Sequence, residues 1–396
     1  MTLKSTSAGT GRKKPYAISP LFWLFLTAAA SVIQFRFQFV AVSTINLTSV
    51  LEGNFHETTK AHERHFETME FQARNAPETI VNVTSLEIAV NCSALKSKLL
   101  DYIEVAPMKS NYPKILCFIM VGKSRHSTRV KAVRETWGKR CDKLIIASNK
   151  KDKDLGAIKI HGVRSDYASL WQKLNKTVHF IWKQYRDDYE WFFKVDDDSY
   201  VIVENLKEFL ASSHIQQANA NNESLLLGRR INPPIEAFGG WRGDVLGFNE
   251  TGLNKDFGDR FLKKFGNNAT LVFNQGGAGY VMNRKFMSLL VQALDSTDVL
   301  RGKVPEDLAV TITMMYRDVF PRPTRDEQGR ERFHPEDPEY MFSKAAKRNI
   351  WLTKAHEMIG GLSYGYKCCS KKSITFHHVQ DLWPLEHQLY TCHRAT

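Results

Sequence analysis

The chain has 396 residues, 24% of them charged and 43% hydrophobic, which excludes a disordered or low-complexity polypeptide and allows one large core. Its formal charge is +13, of which Lys4, Arg12, Lys13 and Lys14 supply +4 and the remainder of the chain +9. A basic surface attracts anions, and the compartment inferred next excludes nucleic acid as the partner; an anionic substrate is the economical reading, a merely solvated basic face the alternative.

The first 20 residues carry four cations and no acid, and an apolar segment follows over 16–35, with its core at 21–33, before Arg36. About 20 apolar residues just span a bilayer, and the preceding positive flank predicts a cytoplasmic N-terminus. The pattern predicts a tail at 1–15, a type II transmembrane signal anchor at 16–36 and a lumenal body beyond it. Cleavage as a signal peptide near Ala28, Ala29 and Ala30 is the competing reading. Asn46, Asn82, Asn91, Asn175, Asn222, Asn249 and Asn268 each open an Asn-x-Ser/Thr triplet, all downstream of the apolar segment. All six cysteines (Cys92, Cys117, Cys141, Cys368, Cys369 and Cys392) lie on the same side, where disulfides persist. Cys368 and Cys369 are adjacent, and the strain of a bridge between neighbours predicts a distant partner for each.

Residues 37–110 read as a polar stem. Phe55, His62, Phe66 and Met69 form a weak helical stripe that leaves a homodimer open. From Tyr112 the texture changes to that of a catalytic domain over 111–396. The run KILCFIMV at 114–121 predicts a strand buried on both faces, ended by Gly122; a basic, helix-prone segment follows over 128–139, and LIIA at 144–147 predicts the next strand. Leu170, Leu174, Val178, Trp182 and Tyr185 predict an amphipathic helix over 169–185. The apolar strand beginning at Trp191 then ends in Asp196, Asp197 and Asp198, and a helix resumes over 205–211. Alternating strands and helices predict an α/β fold with a parallel sheet covered on both faces, whose ligands bind beyond the carboxyl ends of the strands.

Three carboxylates at the mouth of a core strand repel one another unless a cation sits there. Oxygen ligands suit Mn²⁺ or Mg²⁺, and such an ion suits a diphosphate. On extended backbone Asp196 and Asp198 face one side and Asp197 the other. An acidic surface turn is the bland alternative. Further along, Gly276, Gly277 and Gly279 allow close backbone approach or simply a tight turn. Glu306 and Asp307 follow Pro305 at the start of an apolar helix, where acids serve either as dipole partners or as a source of a general base. His377 and His378 close the series, and a lone histidine is most often structural.

The segments TRVKAVRETWGKRC (128–141), EWFFKVDDDSYVIVENL (190–206), GRR (228–230), GGAGYVMNR (276–284), PEDLAV (305–310), RFHP (332–335) and CCS…ITFHHV (368–379) occur in one order. Together they resemble the inverting β1,3-glycosyltransferases, most closely the core 1 β1,3-galactosyltransferases of glycosyltransferase family 31, over about residues 114–380. The resemblance implies a GT-A-like, mostly parallel sheet flanked by helices. It also implies a Golgi type II location and Mn²⁺-dependent transfer of galactose from UDP-galactose to the 3-hydroxyl of O-linked GalNAc on glycoproteins. UDP-GlcNAc as donor, a different glycan acceptor, or a noncatalytic chaperone-like relative are the alternatives. Carried over by position, it places Asp196, Asp198 and His377 on the metal, with His378 beside them. Lys173 falls on the diphosphate and Met120 at the nucleotide pocket, where core filler is an equal reading. Asp307 becomes the base that deprotonates the acceptor. Arg129 and Arg134 lie on a basic face, holding diphosphate or exposed. Cys117 and Cys141 retain family positions and pair.

Three departures stand out. The aromatic segment before the double cysteine is shortened to GGLSYGY at 360–366, leaving Tyr364 and Tyr366 either to stack on the acceptor sugar or to pack beneath the cysteine turn. Extra sequence over about 239–271 is expected on the acceptor side. A cysteine pair expected near Val299 and Thr313 is absent at both positions.

Overall fold

Continuous apolar runs build the centre of the molecule. Ile115–Val121 forms β1 with all seven residues buried. Leu116, Phe118 and Met120 enter one core, while Ile115, Cys117, Ile119 and Val121 enter a second core on the opposite face. That two-sided burial is why the run has no polar alternation. The structure, a computed structural model, describes residues 102–392 apart from 165, 167–168, 233–254, 267–270, 302–303, 344–347 and 357–358. The predicted tail, anchor and nearly all of the stem lie outside the described residues. Among the described residues no helix is long and apolar enough to cross a membrane.

After β1 come α1 (Lys131–Glu135), β2 (Lys143–Ser148), β3 (Ala157–Lys159), α2 (Leu170–Tyr185) and β4 (Trp191–Lys194). Next follow β5 (Tyr200–Val201), α3 (Val203–Leu210), β6 (Leu226–Gly228), β7 (Arg230–Ile231), α4 (Lys255–Phe265), β8 (Phe273–Asn274) and β9 (Tyr280–Asn283). The chain continues through α5 (Arg284–Leu294), α6 (Glu306–Met315), β10 (Phe333–His334), β11 (Thr375–Phe376) and α7 (Trp383–His387). The main sheet has six strands in the order β3-β2-β1-β4-β9-β6. The first four are parallel, and β9 runs antiparallel between β4 and β6. The fold is therefore mixed α/β with a mostly parallel sheet flanked by helices, as the resemblance implies, with β9 as the antiparallel strand that strand–helix alternation alone does not reveal. The order reverses between β1 and β4, so their carboxyl ends open the crevice where ligands of such sheets bind.

Two small sheets complete the site. In one, β11 lies between β10, parallel, and β5, antiparallel. In the other, β7 pairs with β8.

The basic segment 128–139 is helical as expected, through a π turn over His126–Val130, then α1, then a 3₁₀ turn over Trp137–Arg140, with one break at Thr136. Thr136 leaves the helical region (φ −101°, ψ −115°) and turns Trp137 into the second core, where its indole Nε1 donates to the Ser199 carbonyl at 3.0 Å. Burial of a large ring under the acidic turn wins over helix propensity here. Of the 239–271 insertion, residues 255–266 and Leu271 are described. Helix α4 buries Phe257 and Phe261 in the first core, and Phe257 packs on Tyr316 at the C-terminal end of α6. Asp307 lies in the first turn of that helix, roughly 15 Å from Tyr316 at 1.5 Å per residue.

Cys117 and Cys141 are disulfide-bonded, their Cα atoms 6.1 Å apart. Cys368 and Cys369 bridge each other, contrary to the distant partners predicted from strain, and pack against Met341. A 3₁₀ turn over Gly365–Lys367 immediately precedes them, with Cys368 itself in the helical region. Cys392 is disulfide-bonded as well. Of the sequons, Asn222 lies exposed in a turn (φ +59°), whereas Asn175 is in mid-helix with the Thr177 hydroxyl buried on the Lys173 carbonyl.

The C-terminal segment is locked to the sheet by Arg140. Its guanidinium donates to both oxygens of Glu386, at 3.0 and 2.5 Å, and covers the Tyr390 ring at 3.6 Å; the Tyr200 hydroxyl donates to the same carboxylate at 2.6 Å. Removing Arg140 leaves the buried Glu386 with only the exposed Lys139 ammonium at 3.2 Å and the Tyr200 hydroxyl, and strips Glu204 of its guanidinium partner. Arg140→Ala is therefore expected to lower unfolding free energy by about 3 kcal/mol in urea titrations. An unchanged midpoint would mean that apolar packing alone holds this segment.

Candidate active site

The acidic triplet is a turn, not extended strand, yet it sends its carboxylates in two directions. The Ser199 amide closes the turn on the Asp196 carbonyl at 3.3 Å. Asp197 is buried and accepts from Arg125 at 3.0 Å, while its other oxygen has no hydrogen-bond partner. Burial, against the pull of Arg125, pushes its carboxyl up to about 6.

Asp196 and Asp198 face the histidine delivered by β11. Pairing of Phe376 with Tyr200, and the Val379 amide donating to the Asp198 carbonyl at 2.9 Å, hold the C-terminal segment against the acidic turn. His377 Nε2 then lies 3.2 Å from Asp198 Oδ1 and 3.9 Å from Asp196 Oδ2. Its Nδ1 lies 3.2 Å from the Pro335 carbonyl, which only accepts, so Nδ1 carries the proton and Nε2 faces the carboxylates. Burial alone would depress the imidazolium, but the hydrogen bond to and charge of Asp198 outweigh it and raise the pKa. Asp198 is lowered in turn: burial opposes this, and His377 prevails. His378 stacks on His377 at 3.7 Å between centroids, occupies the left-handed region (φ +57°) and approaches Asp198 at 3.9 Å. Asp198, His377 and His378 each offer a ligand atom within 4.8 Å of the others. Carboxylate with imidazole whose other nitrogen donates to a backbone carbonyl is a donor set that fits Mn²⁺.

On the opposite side of β4, Lys194 is 1% exposed. Its ammonium donates to Asp196 Oδ1 at 2.8 Å, to the Gly276 carbonyl at 3.2 Å and to Glu306 Oε1. Glu306 and Asp307 open α6 as predicted. Asp307 Oδ2 accepts from the Gly276 amide and Oδ1 from the Leu308 amide, both at 2.8 Å. Enclosure and then the neighbouring Glu306 charge push its carboxyl up to about 7, against the Gly276 amide, which pulls it down.

The glycine run admits these side chains. A Cβ on Gly277 would lie 2.0 Å from His377 Cε1, and one on Gly276 would lie 2.6 Å from Glu306 Oε1 and 3.2 Å from Asp307 Oδ2. The close approach expected at this motif is thus made by the protein's own histidine and acids.

Lys173 sits on α2, 1% exposed, with no acceptor for its ammonium among the described residues; burial lowers its pKa, with Asp197 acting in the opposite direction. Met120 is 8% exposed and packs in the first core. Arg129 donates to the Val379 and Gln380 carbonyls at 2.7 and 2.8 Å, clamping the histidine segment, and Arg134 donates to the Asp154 carbonyl. In GRR, Arg229 is buried against Glu331 at 3.0 Å and His356 at 2.9 Å. Tyr366 rests edge-on against Tyr102 and Phe342 but stays 56% exposed, and Tyr364 is half-buried. Lys194, Arg125 and the commitment of Asp197 to Arg125 were not anticipated from sequence. A lysine closing a fully apolar strand was the available signal for the first.

Over 283 residues the chain is 27% identical to glycoprotein-N-acetylgalactosamine 3-beta-galactosyltransferase 1 of Xenopus laevis. The match covers 70% of this chain and 66% of that relative's length. The Fringe-like family profile matches residues 111–316, from just before β1 to the residue after α6 and just over half of the 396, so the chain belongs to the Fringe-like family.

Proposed function

We propose that this chain is an inverting glycosyltransferase that moves galactose from UDP-galactose, in β1,3 linkage, to O-linked GalNAc of glycoproteins. The observation that carries the reading is the convergence of a carboxylate–imidazole cluster and an elevated carboxyl on one crevice at the sheet's switch point, in a Fringe-like chain. The galactose donor and GalNAc acceptor rest on the Xenopus relative. The predicted signal anchor and sequons support a Golgi membrane enzyme with a lumenal catalytic domain.

Asp198, His377 and Asp196 would hold Mn²⁺, with His378 at the rim. When bound, the ion neutralises charge on the departing nucleoside diphosphate. Lys173 and Arg125 add positive charge on the side of Asp197, where a diphosphate would lie. Asp307, near neutrality, takes the proton from the acceptor 3-hydroxyl as that oxygen attacks the anomeric carbon. Tyr366 offers an exposed aromatic surface to a sugar face.

Asp198→Ala and His377→Ala are expected to abolish or severely weaken Mn²⁺-dependent UDP binding in calorimetry, and His378→Ala to weaken it less. Equal losses at the two histidines would move the ligand assignment. No Mn²⁺-dependent UDP binding by the folded wild type would favour a noncatalytic relative or a lectin-like binder.

Asp307→Asn is expected to leave UDP affinity intact and lower kcat by about 10²–10⁴-fold. The base acts only when ionised, and its pKa is raised to about 7. The rate should therefore fall about tenfold per pH unit below 7 and level off above it. A flat profile between pH 5 and 8, or near wild-type turnover of the variant, would exclude Asp307.

A donor and acceptor panel tests specificity. UDP-galactose with GalNAc-peptide is expected to give the β1,3 product, and preference for UDP-GlcNAc or for another glycan would redirect the assignment while leaving the chemistry.

A further inference from the structure

The geometry points to Lys194 as a positioning residue that serves both halves of the site: it aims Asp196 at the metal position and ties up Glu306, leaving Asp307 as the base. This inference rests on the glycosyltransfer reading above and adds a residue to it.

An ammonium has three N–H donors, and Lys194 directs them at three acceptors, Asp196 Oδ1, the Gly276 carbonyl and Glu306 Oε1. With 1% exposure, no water competes for them. One oxygen of Asp196 is thereby held, and the other is the atom 3.9 Å from His377 Nε2. Glu306 is held in the same way, and its oxygen occupies the space that a Cβ on Gly276 would fill. Asp307, next in sequence, takes the Gly276 amide instead. Gly276 therefore gives its N–H to one acid and its carbonyl to the lysine that restrains the other. Outer partners of metal-binding carboxylates orient them and set their affinity.

The test compares the full-length wild type with Lys194→Met, Glu306→Gln and the double variant, following thermal midpoint, Mn²⁺-dependent UDP affinity and turnover. Lys194→Met leaves two acids uncompensated and is expected to lose both stability and affinity. In the double variant the stranded Glu306 charge is gone, so the midpoint should return to within about 4 °C of wild type. Its affinity should remain about 10–100-fold weaker, because nothing aims Asp196. Full recovery of affinity together with stability would show a purely structural lysine and overturn the inference. Glu306→Gln alone should lower turnover less than Asp307→Asn; an equal or larger loss would also overturn it. A wild type that binds no UDP with Mn²⁺ instead sinks the underlying glycosyltransfer reading, and the two failures are thus distinguishable.

Discussion

A single buried ammonium organises the centre of this protein. Lys194 closes β4, and its three hydrogen bonds join the acidic turn two residues on to Gly276 and Glu306, 82 and 112 positions from it in sequence. At an effective dielectric of 20, an ion pair at 4 Å is worth about 4 kcal/mol, so two acids on one ammonium offset much of its desolvation. Those acids raise the lysine's pKa although burial works in the opposite direction. The dependence is mutual. Without the lysine, Asp196 and Glu306 would place unbalanced negative charge at the end of a sheet; without the acids, a lysine could not end an otherwise apolar strand.

Glycine and short-strand pairing do the remaining assembly. Because Gly276 and Gly277 present no side chain, the acid pair of α6 and the ring of His377 reach the same backbone from different sides. The histidine arrives through β11, a two-residue strand between β5 and β10, with Arg129 clamping the carbonyls just beyond it. The segments that meet here, around Gly276, Glu306 and His377, are 30 to 101 residues apart in sequence. Each contact is brief, and the large two-sided core behind them supplies the rigidity.

What the sequence made legible was whatever is written as a long, uniform pattern. KILCFIMV and the stripe from Leu170 to Tyr185 give β1 and α2 almost to the residue, because burial on both faces or on one helical face dictates composition over many positions. Antiparallel insertion of β9 was not legible, since Tyr280–Asn283 has the same apolar texture in either direction. Two-residue strands carry no periodicity. The Cys368–Cys369 bridge depends on local backbone shape that a pair of letters does not encode. Within the site, the residue types Asp, His and Asp were readable, and family resemblance supplied an order of roles for them; the burial that makes Asp197 a partner of Arg125 and Lys194 a hub was not, because burial of a charge is a property of the neighbours.

The roles of the carboxylates follow from their surroundings rather than from their positions in the motif. Asp198 shares its hydrogen bond with an imidazole and is held below the ordinary carboxylate range, so it stays an anion fit for a cation. Asp307 is enclosed, sits beside Glu306 and is raised to about 7, so it can exchange a proton at neutral pH. Two acids of one chemical type are thereby driven apart in proton affinity across a few side chains, the arrangement by which one site keeps permanent charge and proton transfer on separate residues. Lys194 lies between the two and touches a neighbour of each, Asp196 beside the first and Glu306 beside the second. Its position places one ammonium against the charges of both Asp196 and Glu306, between the carboxylate held low and the one held high.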